Sequence, residues 1–329
     1  MNHPPYDPFR SMSFYGDTCF LTGEKIADRK ENKVHALPEW LIDRYNLDIA
    51  GITMLNGNRM KYRDMLLPAS EDVIKAIEKM DEITRIAFEQ GHDAVIKLPK
   101  LTLFQWMARV FYGVLYQDFL YAIGLHGKKG ETFPVSGYMK KKLSNLLFMM
   151  HSLIRPVQFI NFSPWSIKCY RVNISKDVLN YKDETHHLNF CLGMNGFGIV
   201  ACLQDNGEVE KYNHDIVEKI GDTMLHPAQF EELYGRFMYA NYLRRDVSDY
   251  VLNEEGDTLV FSLPEDPNKN LPRFGEWQDK TFAQVLTNLW QPWGIPIEKI
   301  YSFPNSPISY LINENTNEFI RPEQVDLPF

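Results

Sequence analysis

Cysteine is scarce in this chain. Its 329 residues include four, at positions 19, 169, 191 and 202, and no Cys-x-x-Cys pair. That leaves neither a disulfide framework nor a full set of zinc ligands, and it fits a reducing compartment. A membrane span is missing too. The most apolar run, Leu101 to Leu125, carries Gln105, Arg109, Gln117 and Asp118, and charged groups at mid-span are costly; the run reads as a buried core helix. The opening MNHPPYDPFRSMSFYG has three prolines and no apolar core, so no secretory signal is expected and the chain is assigned to the cytoplasm. There is no internal repeat, no low-complexity tract and no excess of positive charge. A net charge of -8 argues against a protein built wholly around coating nucleic acid.

What is present is ordinary globular composition, with 44% hydrophobic and 24% charged residues, which excludes extensive disorder. The length suits two or three cooperating units. Charge is uneven along the chain. Residues 67–156 hold twelve Lys and Arg against nine Asp and Glu, whereas residues 157–263 hold nine against sixteen. A polyanion would therefore meet the front half first.

The patterning is helical in the front half. Ser70 can cap a helix that Glu71 and Asp72 suit and Gly91 ends, with Val73, Ile77, Met80 and Ile83 as its apolar stripe. Thr102-x-x-Gln105 has the capping-box form and opens a helix to about Gly124 that is apolar on nearly all sides. Arg109 and Asp118 lie about 180° apart on it, so each needs a separate partner if buried. A third helix spans Ser136 to Ile154. After Pro156 the pattern turns to strands: 157–162, 167–174, then 187–192, 197–203 and 209–212. The last three are split by Asn195-Gly196 and Asn206-Gly207, the strongest short hairpin signal, which predicts a three-stranded antiparallel meander. His226-Pro227 opens another helix, with Phe230, Leu233 and Phe237 on one face. Residues 257–263 form a last strand, and a helix lies near 281–290. Nine of the nineteen prolines fall in residues 264–329, so this tail packs mostly extended.

One stretch carries a possible site: CFLTGEKIADRKENKVHALPEWLIDRY, Cys19 to Tyr45. It reads as a short hairpin with its turn in Ala27–Asn32, then a histidine, then a helix begun by Pro38 at a first position where no N–H is needed. Cys19-Phe20-Leu21-Thr22-Gly23, Val34-His35-Ala36-Leu37-Pro38-Glu39-Trp40-Leu41 and Tyr62 to Ser70 fall in the order of an HNH-type, treble-clef nuclease domain, and this front third resembles one. Residues 71–120 look like its continuation in longer bacterial relatives. Members of that family read Cys-x-x-Cys, a polar hairpin, an acidic residue beside a histidine, Pro-x-Trp-Leu and a second Cys-x-x-Cys. The resemblance implies a hairpin–helix frame, with His35 as the catalytic candidate activating water while a metal ion steadies the phosphate. Here Thr22 stands where the second cysteine belongs, Val34 replaces the acidic neighbour, and no cysteine occurs between 20 and 168. Structural zinc needs four Cys or His ligands. The expectation is a metal-free frame with no cofactor, a divalent metal entering only if catalysis survives.

Other clusters carry residue types with chemical potential. Asp183-Glu184-Thr185-His186-His187 has metal-ligand types, yet neighbouring residues of a regular strand face opposite ways; only a loop lets both histidines reach one ion, and the sequence leaves their distance to His35 open. Cys191 and Cys202 fall diagonally on one sheet face, roughly 7–8 Å apart at Cα, too far for an unstrained disulfide. Gly193-x-x-Gly196-x-Gly198 flanks a hairpin rather than opening a helix, so it is no phosphate loop. Lys128, Lys129, Lys140, Lys141 and Lys142 make residues 125–142 basic, a candidate surface for nucleic acid whose binding would weaken with salt. A solvated helix start would show the same charges.

The fold expected is α+β: a metal-free treble-clef-like unit (1–66), a helical region (67–156), and an antiparallel sheet domain with flanking helices and a Pro-rich end (157–329). The function expected is a non-catalytic descendant of an HNH-type nuclease, acting as a binding or scaffold protein with nucleic acid as one partner class. The alternatives are an active metal-dependent phosphodiesterase using His35 and a purely structural interaction module.

Overall fold

The computed structural model describes residues 5–26, 32–54, 57–128, 134–245, 249–265 and 270–327, with side chains omitted for 125–128. In chain order its elements are α1 (Pro8–Ser11), β1 (Lys33–His35), α2 (Glu39–Arg44), β2 (Gly51–Thr53), β3 (Arg59–Lys61), β4 (Leu66–Pro68), α3 (Glu71–Gln90), α4 (His92–Val95), α5 (Lys100–Lys128) and α6 (Gly137–Met150). There follow β5 (Val157–Phe159), β6 (Ser166–Arg171), β7 (Asn180–Glu184), β8 (Asn189–Met194), β9 (Phe197–Cys202), α7 (Glu208–Tyr212), α8 (His214–Ile220) and α9 (Pro227–Leu243). The chain ends with β10 (Val251–Glu255), β11 (Thr258–Ser262), α10 (Asp279–Leu289) and α11 (Ile297–Ile300). The fold is α+β, with mainly antiparallel sheets and flanking helices. No helix among the described residues is long and apolar enough to cross a membrane.

Two compact units result. The first comprises residues 1–89, 97–161 and 250–263; the second comprises 90–96, 162–249 and 264–329. This differs from a 1–66, 67–156 and 157–329 division, because the first two stretches share one unit and 250–263 returns to it. Backbone pairing causes the return: β11 adds parallel to β5, with Leu259 opposite Val157 and Phe261 opposite Phe159. Arg155 also pairs with Glu254 at 2.8 Å.

In the first unit α5 forms the core. Trp106 to Phe111 are all buried, as are Tyr112, Val114 and Tyr116, as expected of a helix apolar all round. It starts at Lys100 rather than Thr102, because Pro99 supplies the carbonyl that Thr102 and Leu103 donate to. Trp40 of α2, Phe88 of α3 and Trp106 of α5 meet edge to face at 6.2 and 5.0 Å. On α3 the buried stripe is Val73, Ile77, Met80, Thr84 and Ala87. Ile83, expected on that stripe, is 43% exposed: the 3.6-residue period carries the buried line from 80 to 84. Thr84 satisfies its hydroxyl on the Met80 carbonyl at 2.9 Å.

In the second unit β6, β9, β8 and β7 form one antiparallel sheet in that order. Asn195 and Gly196 both take positive φ, +46° and +79°, and turn β8 into β9, as a two-residue hairpin requires. The third meander strand expected at 209–212 is helix α7 instead. Asp205, fully buried, accepts hydrogen bonds from Val209 N, Ser166 N and Ser166 Oγ, which curls the chain after Asn206-Gly207 into a helical turn. The free side of β9 is meanwhile taken by β6. Helix α9 lays Phe230, Leu233 and Phe237 among the core residues of this unit. Gly198 explains the glycine-rich hairpin: a Cβ there would lie 2.4 Å from the Phe230 ring.

Candidate functional site

The site is built on a tight turn. Thr18 and Lys25 form an isolated antiparallel bridge; between them Cys19 N donates to Glu24 O at 2.8 Å and Gly23 N to Cys19 O at 3.0 Å. Thr22 uses its hydroxyl locally, accepting from Glu24 N at 3.3 Å. Phe20 N donates to Pro68 O at 2.8 Å, which ties the turn to β4. Gly23 sits at φ +76°, and a Cβ there would lie 2.5 Å from Cδ2 of Tyr6. The Tyr6 ring is therefore seated against the turn. Cys19 is fully buried. The hydroxyls of Tyr6 and Tyr112 are buried with no hydrogen-bond partner among the described residues. Burial pushes the Tyr6 hydroxyl up to about 12, with Cys19, Tyr15 and Asp7 adding to the shift. Around the cysteine the surroundings are aromatic: Phe9 and Phe20 pack on Tyr112, and Phe14 packs on Tyr116.

The strand leading to His35 is paired otherwise than the sequence implies. β1 runs antiparallel to β4, with Lys33 opposite Pro68, Val34 opposite Leu67 and His35 opposite Leu66. The hairpin expected between Cys19 and His35 is thus replaced by a pairing across some thirty residues. Of the turn expected in 27–32, residues 27–31 lie outside the described residues. Val34, beside His35, is buried in the core.

His35 lies at the end of β1, and α2 begins after Pro38. Its Nε2 is 2.9 Å from Glu39 Oε1, on a side chain 63% exposed. Its Nδ1 is buried without a partner among the described residues. Its carbonyl accepts from Arg109 Nη2 at 2.6 Å, and Arg109 also pairs with Asp81 Oδ2 at 3.2 Å. This answers the question posed by a charged residue inside an apolar helix: Arg109 anchors the histidine segment from below. Burial raises the Asp81 carboxyl and lowers the Arg109 guanidinium, each against the pull of the other. Gly113 lets the same segment sit on α5, for a Cβ there would be 2.8 Å from Ala36 Cβ. Among the described residues no group of three or more His, Cys, Asp or Glu converges on a point where an ion could sit.

Comparison with known proteins finds no matching family model, no matching curated protein and no matching solved structure.

The remaining candidates separate. Lys129 lies outside the described residues, and of Lys128 only the helical backbone is described. Lys141 is exposed and Lys140 half-buried. Lys142 is 4% exposed, its ammonium 5.2 Å from the Tyr138 ring centroid. Three consecutive helical residues span about 200° of the circumference, so the run does not present three ammonium groups on one face. His186 and His187 belong to the second unit, in the turn between β7 and β8. Both backbone N–H groups donate to Glu184, and His187 Nδ1 lies 3.2 Å from Glu184 Oε2. Their rings are 6.5 Å apart. They close a turn around one carboxylate. All four cysteines are free, and Cys191 and Cys202 hold the expected diagonal positions. Sequence reasoning missed the Arg109–Asp81 support under His35. Its only trace was an arginine in the middle of the most apolar run.

Proposed function

We propose that the first unit is a nuclease-type treble-clef frame now working as a non-catalytic binding or scaffold module, with nucleic acid as its partner class. The observation that carries this reading is the Cys19–Gly23 turn. The turn keeps its hydrogen bonds, but Thr22 is committed to the backbone and the Tyr6 ring lies on Gly23. One buried cysteine is a poor donor set for zinc, which takes four Cys or His ligands; side-chain packing takes over the holding role. The charge supports the partner class. The first unit has 21 Lys and Arg against 20 Asp and Glu, the second 14 against 23, so a polyanion approaches the first unit with the smaller electrostatic penalty.

The test is anisotropy of labelled single- and double-stranded DNA and RNA at two salt concentrations. Binding that falls with salt and survives His35→Ala supports the module; no binding to any of them leaves an interaction scaffold and ends the nucleic-acid assignment. One observation favours a second reading. His35 is only part-covered, and its Nδ1 has no partner among the described residues, so the ring is not locked on both sides as a purely structural histidine would be. If it is a phosphodiesterase base, cleavage with added Mg²⁺, Mn²⁺ or Zn²⁺ appears and vanishes in His35→Ala.

A further inference from the structure

The second unit holds a cavity of about 220 Å³, walled by Trp277 and Phe282 and ringed by Arg236, Asp279, Ser306 and Glu314. That is below the roughly 300–1,000 Å³ of sites for drug-sized ligands, which suits a compact metabolite rather than a nucleotide. Its walls are held firmly. Trp277 packs 4.6 Å from Phe282 on one side and 4.6 Å from Tyr239 on another. Arg236 is fixed by Glu232, which accepts from its Nε at 2.9 Å and its Nη2 at 2.8 Å. The guanidinium lies 5.2 Å from the Phe282 ring centroid, and its Nη1 hydrogen-bonds to none of the described residues. Asp279 accepts from Ser306 Oγ at 3.3 Å and opens α10, whose first turn has no side-chain cap.

We propose that this cavity binds a free α-amino acid with an apolar side chain. The carboxylate meets Arg236, the ammonium meets Asp279 and Glu314, and the side chain lies on Trp277 and Phe282. Charge decides between ligand classes. Glu232 already balances Arg236, while neither Asp279 nor Glu314 forms an ion pair with a described residue, so a simple anion finds no net positive charge. A simple cation satisfies Asp279 and Glu314 but leaves Arg236 Nη1 without an acceptor. A zwitterion uses both signs, and the aromatic walls take its hydrocarbon part. This inference does not rest on the reading of the first unit.

The experiment is calorimetric titration of the full chain with L-leucine, L-methionine and L-phenylalanine. 4-Methylpentanoate and 3-methylbutylamine serve as leucine without its ammonium and leucine without its carboxylate. One amino acid should bind at a single site, with the matching truncated compounds at least about tenfold weaker, the worth of one charge-assisted hydrogen bond. Glu314→Gln, at an exposed position and with its fold checked by circular dichroism, should lose about tenfold in affinity. The proposal is overturned by no binding up to about 10 mM, where a ligand would be worth under about 3 kcal/mol. It is equally overturned if the amine or the acid alone binds as tightly as leucine, or if Glu314→Gln and Asp279→Asn both leave affinity unchanged.

Discussion

Two regions, the Glu232 cluster of the second unit and the Cys19 turn of the first, handle buried polar groups differently. In the second unit, the fully buried carboxylates Glu232 and Asp205 each gather several donors. Glu232, fully buried, accepts from Arg236, Ser309 Oγ, Tyr310 N and Leu311 N, and so fastens the proline-rich tail to α9. Asp205 and Glu184 do the same for the chain after β9 and the turn after β7. In the first unit one ion pair, Arg109–Asp81, lies under the candidate site. Near Cys19 two buried tyrosine hydroxyls, of Tyr6 and Tyr112, have no hydrogen-bond partner among the described residues. A region organised by a carboxylate with four donor groups loses several bonds at once when that carboxylate goes.

Mutation can break this contrast. Glu232→Ala should have the largest effect, about 3–5 kcal/mol, because Arg236 and two backbone N–H groups lose a buried acceptor together. Urea unfolding would measure it, and hydrogen exchange should rise first at Ser309–Ile312. Asp81→Ala should cost about 3 kcal/mol by stranding Arg109. The double change Asp81→Leu with Arg109→Met should recover most of that loss, since an apolar pair often replaces a buried ion pair at little cost.

Acid should act on His151 and on Glu184 in different pH windows. Burial, aided by Arg155, lowers His151 to about 4. The folded state therefore favours the neutral ring, and stability falls as pH drops from about 6.5 to about 4, by about 3 kcal/mol in all. In the second unit burial raises Glu184, but hydrogen bonds from His187 and the neighbouring backbone outweigh it and leave the carboxyl below its ordinary value. Its contribution is present above the ordinary value of 4.5 and is lost as pH falls through the lowered one. Melting temperature against pH should show the His151 part first, and His151→Gln should remove that part alone.

Gly23→Ala combines an unfavourable positive φ with a clash against Tyr6 and should cost about 1–3 kcal/mol. Equal stability of this variant by urea unfolding would mean that the ring does not brace the turn. The smallest effect belongs to Glu39→Gln. Its carboxylate is 63% exposed, so loss of the His35 contact should change stability by at most about 1 kcal/mol.

Much of this architecture was legible from local pattern. Asn195-Gly196, the Ser70–Gly91 helix and His226-Pro227 each combine a periodic apolar face with a boundary residue whose backbone demands are specific, and all three stand where the pattern puts them. The misreadings share a cause. The residue run 209–212 looked extended because its hydrophobic alternation is short, and a buried aspartate nearby curls it instead. Lys140–Lys142 looked like one patch because sequence adjacency hides the rotation of a helix.

Chain order, residue size and charge sufficed to set the helix-rich front and the antiparallel back, since these follow from hydrophobic period and turn residues within a few positions. Folding alone settled that β1 pairs with β4, that Tyr6 lies on Gly23, that Arg109 reaches the His35 carbonyl, and that Arg236, Trp277 and Glu314 share a cavity. Such contacts join residues tens of positions apart. They form only when burial of the intervening apolar surface offsets the entropy of closing the loop between them, and no local pattern encodes that balance.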